Sequence, residues 1–320
     1  MISDGLNVYP NVVLKPMPTP ASSSPEYRKG LFYALGCYLI WGLFPLFWYP
    51  VTTAEIDAGQ ILAQRISWSA VFAVTVLLMM RQGDLLWKAV TDKRLLLTFV
   101  CSAAAISVNW LVYLWAINQH RILDASLGYF IGPLVNVLFG RLFFKETLNR
   151  TQLAAIALAL VGIVWLAIPA GQMPWIALVL AGSFGIYGLL RKLTPVDALT
   201  GMTLETLLML PFALAYLAYH AHQGSLVFGS LGGLQTAVLV GSGVVTVLPL
   251  LMFAAGAKRI TMSDLGMIQY ISPSMQFLLG LTLFGEAFDV QRFTGYLWVW
   301  LGIAVYVAGV VWQQKANRAV

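Results

Sequence analysis

The chain has 320 residues, of which 59% are hydrophobic and 10% are charged, and its mean hydropathy is +0.79. An average soluble domain is about 45–50% apolar and about 25% charged, so this composition fits a lipid environment and excludes a water-soluble core. The net charge of +6 is better explained by basic loops that fix membrane orientation than by binding to nucleic acid. Cys37 and Cys101 lie far apart inside apolar runs, which indicates neither a disulfide framework nor a metal site.

The N-terminal segment differs from the rest of the chain. Residues 1–28 contain Asp4, Glu26, five prolines and a Ser-Ser-Ser-Pro run, and they lack the apolar core of a signal peptide. We interpret residues 1–28 as a flexible cytoplasmic extension and residues 315–320 as a cytoplasmic tail.

Ten apolar stretches follow, each close to the ~20 residues that a helix needs to cross the hydrocarbon core of a bilayer. In chain order, spans 1 to 10 are predicted at roughly 30–50, 59–80, 95–117, 123–144, 151–169, 174–190, 199–219, 233–254, 262–284 and 291–313. The connections between them are short, so no segment is long enough for the nucleotide-binding domain of an ATP-driven pump.

The charges between the spans support this count. If the N-terminus is cytoplasmic, most of the 19 Lys and Arg residues fall in segments facing the cytoplasm, and Arg121 and Arg292 fall in outward-facing loops. This bias follows the positive-inside rule, and it would disappear if one span were miscounted. We therefore predict an all-α polytopic membrane protein with ten transmembrane helices and both termini on the cytoplasmic side.

Spans 4 and 9 carry an internal repeat. The segments 133–146 and 273–286 have equal length, begin with proline, end with glutamate and share an aligned glycine. The chain is therefore predicted to contain two five-helix units, at 29–170 and 171–314. Because five is odd, the second unit enters the membrane from the opposite side. Such inverted repeats are typical of alternating-access transporters, which bind their substrate between the halves near the midplane.

Six segments carry a family resemblance: YLIWG (38–42), NWLVYLWAIN (109–118), ASLGYFIGPLVN (125–136), GLLRK (188–192), TGMTLETLLMLP (200–211) and GVVTVLPL (243–250). In this order they resemble the EamA-type permeases of the drug/metabolite transporter superfamily, especially their RarD-like group. The resemblance implies a bacterial inner-membrane permease with a central cavity between the repeats and with peripheral fifth and tenth helices. It also implies a small organic metabolite or an amphipathic drug as the solute.

Glu205 is the one acidic residue well inside a predicted span, in the stretch GMTLETLLMLPF of span 7. A charge at the bilayer centre costs about 2.5–3.5 kcal/mol on insertion scales, so it needs a partner or a water-filled cavity. Arg65 in span 2 is the predicted partner, because spans 2 and 7 are equivalent in the two repeats. Such a pair could carry a proton, hold a gate or serve only to fix the fold, and these three interpretations stay open.

Further polar and aromatic residues at membrane depth are predicted to line the cavity. They are Asn109, Trp110, Tyr129, Asn136, Thr246, Gln269, Tyr270 and Gln276 on spans 3, 4, 8 and 9, with Trp41 and Tyr187 on spans 1 and 6. Their aromatic faces would suit an amphipathic or cationic substrate. Taken singly, each is as easily explained by helix packing or by an interhelical hydrogen bond.

Three of the prolines inside the spans are candidate helix breakers. Pro133 and Pro273 occupy equivalent positions in spans 4 and 9, and Pro249 lies in span 8. A proline leaves the carbonyl four residues earlier without its donor and kinks the helix. We predict that the kinks line the cavity and act as gating points, with purely structural kinks as the alternative.

The sequence thus predicts a secondary transporter or facilitator that moves a small organic solute by alternating access, with proton coupling through Glu205 as one option. A polytopic membrane enzyme acting on lipid is an alternative, although no nucleophile or metal cluster is seen near headgroup level. A membrane scaffold without transport is another. No cofactor, metal or nucleic-acid partner is predicted, whereas a homodimer through the peripheral helices is.

Overall fold

The computed structural model describes residues 24–52, 56–119, 121–168, 174–284 and 289–318. These residues form thirteen α-helices and no strand. The helices are α1 (Pro25–Gly42), α2 (Phe44–Thr52), α3 (Ala58–Met79), α4 (Gly83–Thr91), α5 (Lys93–Asn118), α6 (Ile122–Phe144), α7 (Arg150–Ala167), α8 (Trp175–Leu193), α9 (Ala198–His222), α10 (Gly233–Ala257), α11 (Met262–Gln269), α12 (Ile271–Thr282) and α13 (Val290–Arg318). Residues 1–23 of the predicted extension and Glu286 of the repeat lie outside the described residues.

Nine of the predicted spans are confirmed, within the described part of the chain, as helices long and apolar enough to cross a membrane. The first is Pro25–Val51, which α1 and α2 form together. Ser24 fixes its start, because its side chain accepts a hydrogen bond from the backbone N–H of Tyr27 while Pro25 occupies the first helical position. The helix therefore begins inside the segment that we assigned to the extension.

Predicted span 9 consists of two short helices that meet at Tyr270. Pro273 lies in the first turn of α12, where the absence of a backbone N–H is tolerated. The carbonyl of Tyr270 accepts hydrogen bonds from the Ser274 hydroxyl at 2.7 Å and from its N–H at 3.2 Å. Since each half is shorter than one membrane span, the count of ten helices stays a prediction.

The prolines have different effects on the helices that contain them. Pro133 lies within α6 and Pro249 within α10, and both helices continue through their prolines without interruption. Of the spans that contain these three prolines, only the one with Pro273 is interrupted, so the two equivalent prolines of the predicted repeat are not structurally equivalent.

Contacts between helix ends define two faces of the molecule. The start of α1 lies beside the start of α11, where the Tyr27 hydroxyl donates to the carboxylate of Asp264. We call this side the N-face. On the opposite face, the end of α9 lies beside the start of α3, where the Tyr216 hydroxyl donates to Asp57 Oδ2 at 2.9 Å. Thus α3 and α9 cross the molecule in opposite directions.

At the periphery, α7 and α13 pack against each other. A Cβ at Gly162 would lie 2.6 Å from the carbonyl oxygen of Gly295, and one at Gly302 would lie 2.7 Å from that of Ala155. Glycine therefore allows the two backbones to approach closely, as in many pairs of membrane helices. The outer faces keep exposed apolar side chains such as Leu301, which suit lipid or a second subunit.

The change Gly302→Val should push α13 away from α7, because the new side chain would collide with the α7 backbone. We expect a loss of about 1–3 kcal/mol of folding free energy from overpacking and a lower midpoint of thermal unfolding in detergent. Ala304→Val is the matched control, since Ala304 is exposed on the same helix. Equal midpoints for the two variants would contradict the close packing of α7 on α13.

Candidate functional site

Arg65 is a partly buried cation in α3, at a position facing two other helices. Its Nε donates to Thr246 Oγ1 of α10 at 2.7 Å, and its Cζ lies 4.3 Å from the ring centroid of Trp110 of α5. Within the described chain, neither terminal nitrogen of Arg65 makes a hydrogen bond, and neither is sealed from solvent. Thr246 thus holds the Nε edge of the guanidinium and Trp110 covers one of its faces, while the edge with the two terminal nitrogens has no partner among the described residues.

Two tyrosines extend the surroundings of Arg65. Tyr113 of α5 and Tyr129 of α6 lie within electrostatic reach of its guanidinium, and their ring centroids are 6.0 Å apart in an edge-to-face arrangement. Tyr129 keeps 39% of its surface exposed. We interpret Arg65, Trp110, Tyr113, Tyr129 and Thr246 as the wall of a chamber, and we call these five residues the chamber.

Glu205 does not pair with Arg65. Its Oε1 lies 3.5 Å from Nη1 of Arg191 and accepts a hydrogen bond from the Ser102 hydroxyl at 2.5 Å. Its Oε2 accepts a hydrogen bond from the Tyr187 hydroxyl at 3.4 Å. The side chains of Glu205 and Arg191 are each only 1% exposed. The predicted pair of Glu205 with Arg65 is therefore wrong, and Arg191 takes the predicted place of Arg65.

Opposite helix directions explain this error. Arg65 and Glu205 each lie about two turns, or roughly 10 Å, after the start of their own helix. Because α3 starts at the opposite face and α9 starts at the N-face, the same offset places the two side chains at different depths. Equivalent positions of inverted helices meet only near the midplane.

The sequence neighbours of Arg191 explain why it was not predicted as the partner of Glu205. With Lys192 it precedes Pro195, a pattern typical of a basic loop, yet both side chains are buried in the last turn of α8, 1% and 2% exposed. One signal was available in Gly201, a helical turn before Glu205, since a Cβ there would collide with the Arg191 guanidinium. A glycine one turn from a buried carboxylate leaves room for its counter-ion.

Backbone carbonyls hold two further cations at the N-face. Lys192 Nζ donates to the carbonyls of Ala257 at 2.7 Å and of Ile260 at 2.5 Å, at the C-terminal end of α10. Lys258, just beyond that helix, donates to the carbonyl of Val196. Burial lowers the pKa of Lys258 to about 7. Helix C-termini carry partial negative charge, so the end of α10 helps to compensate the charge of Lys192.

Glu146 joins the two sequence halves at the same face. Its Oε1 accepts a hydrogen bond from the N–H of Met262 at 2.7 Å, and its Oε2 accepts from the N–H and hydroxyl of Ser263 at 3.0 and 2.7 Å. A carboxylate at a helix N-terminus satisfies free N–H groups and is stabilised by the helix dipole. We call the Glu205–Arg191 pair, the two lysine contacts and this Glu146 cap the N-face closure.

An aromatic layer connects the chamber with the N-face closure. Tyr187, which donates to the Glu205 carboxylate, stacks on Phe253 with ring centroids 5.8 Å apart. Phe184 lies 5.1 Å from Phe253 and 5.6 Å from Trp41, measured between ring centroids. Trp110 packs against the same cluster. Packed aromatic rings therefore lie between Arg65 and Glu205.

The other predicted residues lie apart from the chamber. Asn109 Nδ2 donates to the carbonyl of Leu180 at 2.8 Å and to the Ser183 hydroxyl at 3.2 Å, which ties α5 to α8. This contact is of the kind that stabilises helix packing. Among the described residues, no group of three or more His, Cys, Asp or Glu side chains lies where a metal ion could bind.

Four predicted residues surround the interruption between α11 and α12. Asn136 Nδ2 donates to Gln269 Oε1 at 2.9 Å, and Gln276 Nε2 donates to the carbonyl of Trp41 at 3.1 Å. In the described structure the buried Tyr270 hydroxyl has no hydrogen-bond partner. A role of these residues in lining the solute pathway stays a prediction.

Comparison with known proteins identifies the family. The EamA-like transporter family matches residues 28–168. Over 297 residues the chain is 39% identical to the uncharacterized transporter YojE of Bacillus subtilis, covering 92% of this chain and 98% of that protein. The chain belongs to the EamA-like transporter family. It is also 37% identical to protein RarD of Escherichia coli over 290 residues, with 91% and 97% of the two chains covered.

These similarities confirm the predicted resemblance to EamA-type, RarD-like permeases. The chain is 32% identical over 255 residues to the chloramphenicol-sensitive protein RarD of Pseudomonas aeruginosa, with 78% and 84% of the two chains covered. A solved crystal structure matches with a TM-score of 0.66 at 18% identity, covering 87% of this chain and 96% of the other. That match shows the fold alone, whereas the sequence relatives show membership in an EamA-like transporter family.

Double-mutant cycles should distinguish the observed ion pair from the predicted one. Glu205→Gln and Arg191→Gln should each destabilise the protein by about 3–5 kcal/mol, because each leaves a buried group without its counter-charge. Their coupling energy should be at least ~1 kcal/mol, whereas Glu205→Gln and Arg65→Gln should be nearly additive. The measurement is thermal unfolding in detergent. A stronger coupling of Glu205 to Arg65 than to Arg191 would contradict the described site.

Proposed function

We propose that this protein is a secondary transporter or facilitator that moves a small organic metabolite or an amphipathic drug-like molecule across the bacterial inner membrane by alternating access. The observation that carries the proposal is the asymmetry between the two faces. The chamber is partly exposed, with Tyr129 at 39%, whereas Glu205 and Arg191 are each 1% exposed. A carrier that is open on one side and closed on the other has this arrangement.

Relatives favour transport over the rival functions. YojE of Bacillus subtilis is named as a transporter, and the family is described as one of transporters. Those names support transport by this chain rather than a lipid-modifying enzyme or a scaffold. A homodimer through α7 and α13 would have to use their outer faces, because the inner faces pack on each other.

In the proposed cycle, the solute enters from the opposite face and binds in the chamber. Release at the other side requires the N-face closure to open. Glu146 would then leave the N-terminus of α11, and water would reach Glu205 and Arg191. The Glu146 cap and the hydrogen bond from Ser102 to Glu205 join the two halves of the chain, so a relative rotation of the halves would break these two contacts together.

The interruption at Tyr270 is the proposed gating point. α11 carries the contact with Glu146, whereas α12 does not. Because the helical hydrogen-bond ladder is broken between them, α11 can move with the N-face while α12 keeps its place. We propose that Pro273 maintains this interruption, whereas Pro133 and Pro249 kink helices that remain continuous.

We propose that the N-face is cytoplasmic and that both chain ends lie on that side. Basic residues at the N-face support this orientation under the positive-inside rule. They include Arg28, Lys93, Arg94, Lys145 and Arg150. The bacterial relatives support a location in the inner membrane.

Cysteine labelling tests the chamber. In a background where Cys37 and Cys101 are serine, Tyr129→Cys should react with a bulky, membrane-impermeant thiosulfonate added from the opposite face. The attached group should block at least ~90% of solute flux in liposomes, because the chamber is the proposed pathway. The solute is one that stabilises the protein in a thermal-shift screen of metabolites and drugs.

Leu138→Cys is the matched control for this labelling. Leu138 is 50% exposed on the same helix, but we place it against lipid, where a charged reagent does not react. Equal labelling of Tyr129→Cys and Leu138→Cys would contradict an aqueous chamber. Labelling of Tyr129→Cys without loss of flux would contradict its place on the solute pathway.

Proton-coupled transport through Glu205 is a second candidate mechanism. Glu205 is the most buried acidic side chain among the described residues, and its contacts with Arg191, Ser102 and Tyr187 would all change if it were protonated. In liposomes, Glu205→Gln should abolish the stimulation of uptake by a pH gradient while solute exchange at equal pH persists. Glu26→Gln, at an exposed ion pair, is the control. Gradient-independent uptake by the unmodified protein would contradict coupling and favour a facilitator.

A further inference from the structure

Arg65 carries a charge that the protein does not neutralise. Within the described residues, the ion pairs are those of Glu26 with Lys29 and Arg259, of Arg191 with Glu205 and of Arg292 with Asp289. Arg65 takes part in none of them. A charged side chain at membrane depth normally has a partner or faces a water-filled cavity. The chamber is therefore a site of uncompensated positive charge.

The contacts of Arg65 fix the direction in which this charge is presented. Thr246 holds Nε and Trp110 covers one face of the guanidinium. The two terminal nitrogens keep four N–H donors on the open edge. A planar guanidinium of this kind binds a carboxylate or phosphate through two parallel hydrogen bonds, and its orientation is already fixed before the ligand arrives.

The aromatic residues of the chamber argue against a cationic solute. From sequence alone, their ring faces would suit a cation, but the structure places the Arg65 guanidinium over Trp110. Tyr113 and Tyr129 contribute neutral hydroxyls near the same charge. The Glu205 carboxylate is engaged by Arg191 at a different depth. A second cation would thus meet repulsion from Arg65 without a nearby free carboxylate to offset it.

We propose that the transported solute is a small organic anion with a flat apolar part. Its carboxylate, or an equivalent anionic group, binds the open edge of Arg65, and its flat part lies along Trp110, Tyr113 and Tyr129. This inference rests on the proposed transport function and gives that function a substrate class. Arg65 then serves as the residue that selects the charge of the solute.

A matched set of probes tests this selection. The purified full-length protein is titrated with 3-phenylpropionate, 3-phenylpropanamide, 3-phenylpropylammonium and inorganic phosphate, and binding is measured as ligand-induced thermal stabilisation. The carboxylate should bind at least tenfold more tightly than the amide, and the ammonium should bind more weakly than both. Phosphate should bind at least tenfold more weakly than the carboxylate, because it lacks the apolar part.

Variants assign the effect to Arg65. Arg65→Gln should weaken carboxylate binding at least tenfold and leave amide binding unchanged, whereas Arg65→Lys should retain part of the preference because it keeps the charge. Arg141→Gln is the matched control, since Arg141 is an exposed arginine on α6. Both Arg65 variants are compared with the unmodified protein by size-exclusion profile, so that misfolding is recognised independently.

The outcomes separate this inference from the transport proposal. Equal binding of the carboxylate and the amide would overturn charge selection. Loss of solute flux on labelling of Tyr129→Cys would still support the transport proposal. Phosphate binding as tight as carboxylate binding would overturn the role of the aromatic wall. Binding of none of the organic probes would overturn the substrate class. Unchanged carboxylate binding in Arg65→Gln would assign the anion to another residue.

Discussion

The burial of Glu205 against Arg191 constrains the helices around it more than any other contact. Hydrocarbon offers no hydrogen bonds, so a carboxylate at this depth requires its counter-charge and its donors from the protein itself. They come from two other helices, since Ser102 lies on α5 and Tyr187 and Arg191 lie on α8. The need to satisfy one carboxylate therefore fixes the relative positions of α5, α8 and α9, and Gly201 provides the necessary space.

The other buried charges of the N-face also find their partners within the protein, but these partners are backbone groups. Lys192 and Lys258 bind backbone carbonyls, and Glu146 binds the backbone N–H groups at the start of α11. Backbone groups, among them those at the end of α10 and the start of α11, thus supply part of the charge compensation here. The closed face is thus held mainly by contacts between helix ends, whereas Arg65 in the other half keeps one edge of its guanidinium without a protein partner.

The nine confirmed spans were predictable because a helix that crosses a bilayer must be long and apolar, and both properties can be read from the sequence. The interruption at Tyr270 was not, since no sequence rule says which proline stops a helix. The polar character of the site was predictable from Glu205 and Arg65, yet their pairing was not. It depends on depth and rotation, and the inverted direction of α3 and α9 reverses the depth of equivalent positions.

The buried pair of Glu205 and Arg191 also affects the free energy of opening the N-face. In the closed state Glu205 and Arg191 have lost their hydration, and their mutual attraction offsets that loss. When the N-face admits water, the attraction weakens while hydration of both charges returns, so the two terms change in opposite directions. An ion pair of this kind can separate the two states by a small free energy even though each term is large. A carrier that must visit both states within every turnover benefits from such near-degeneracy.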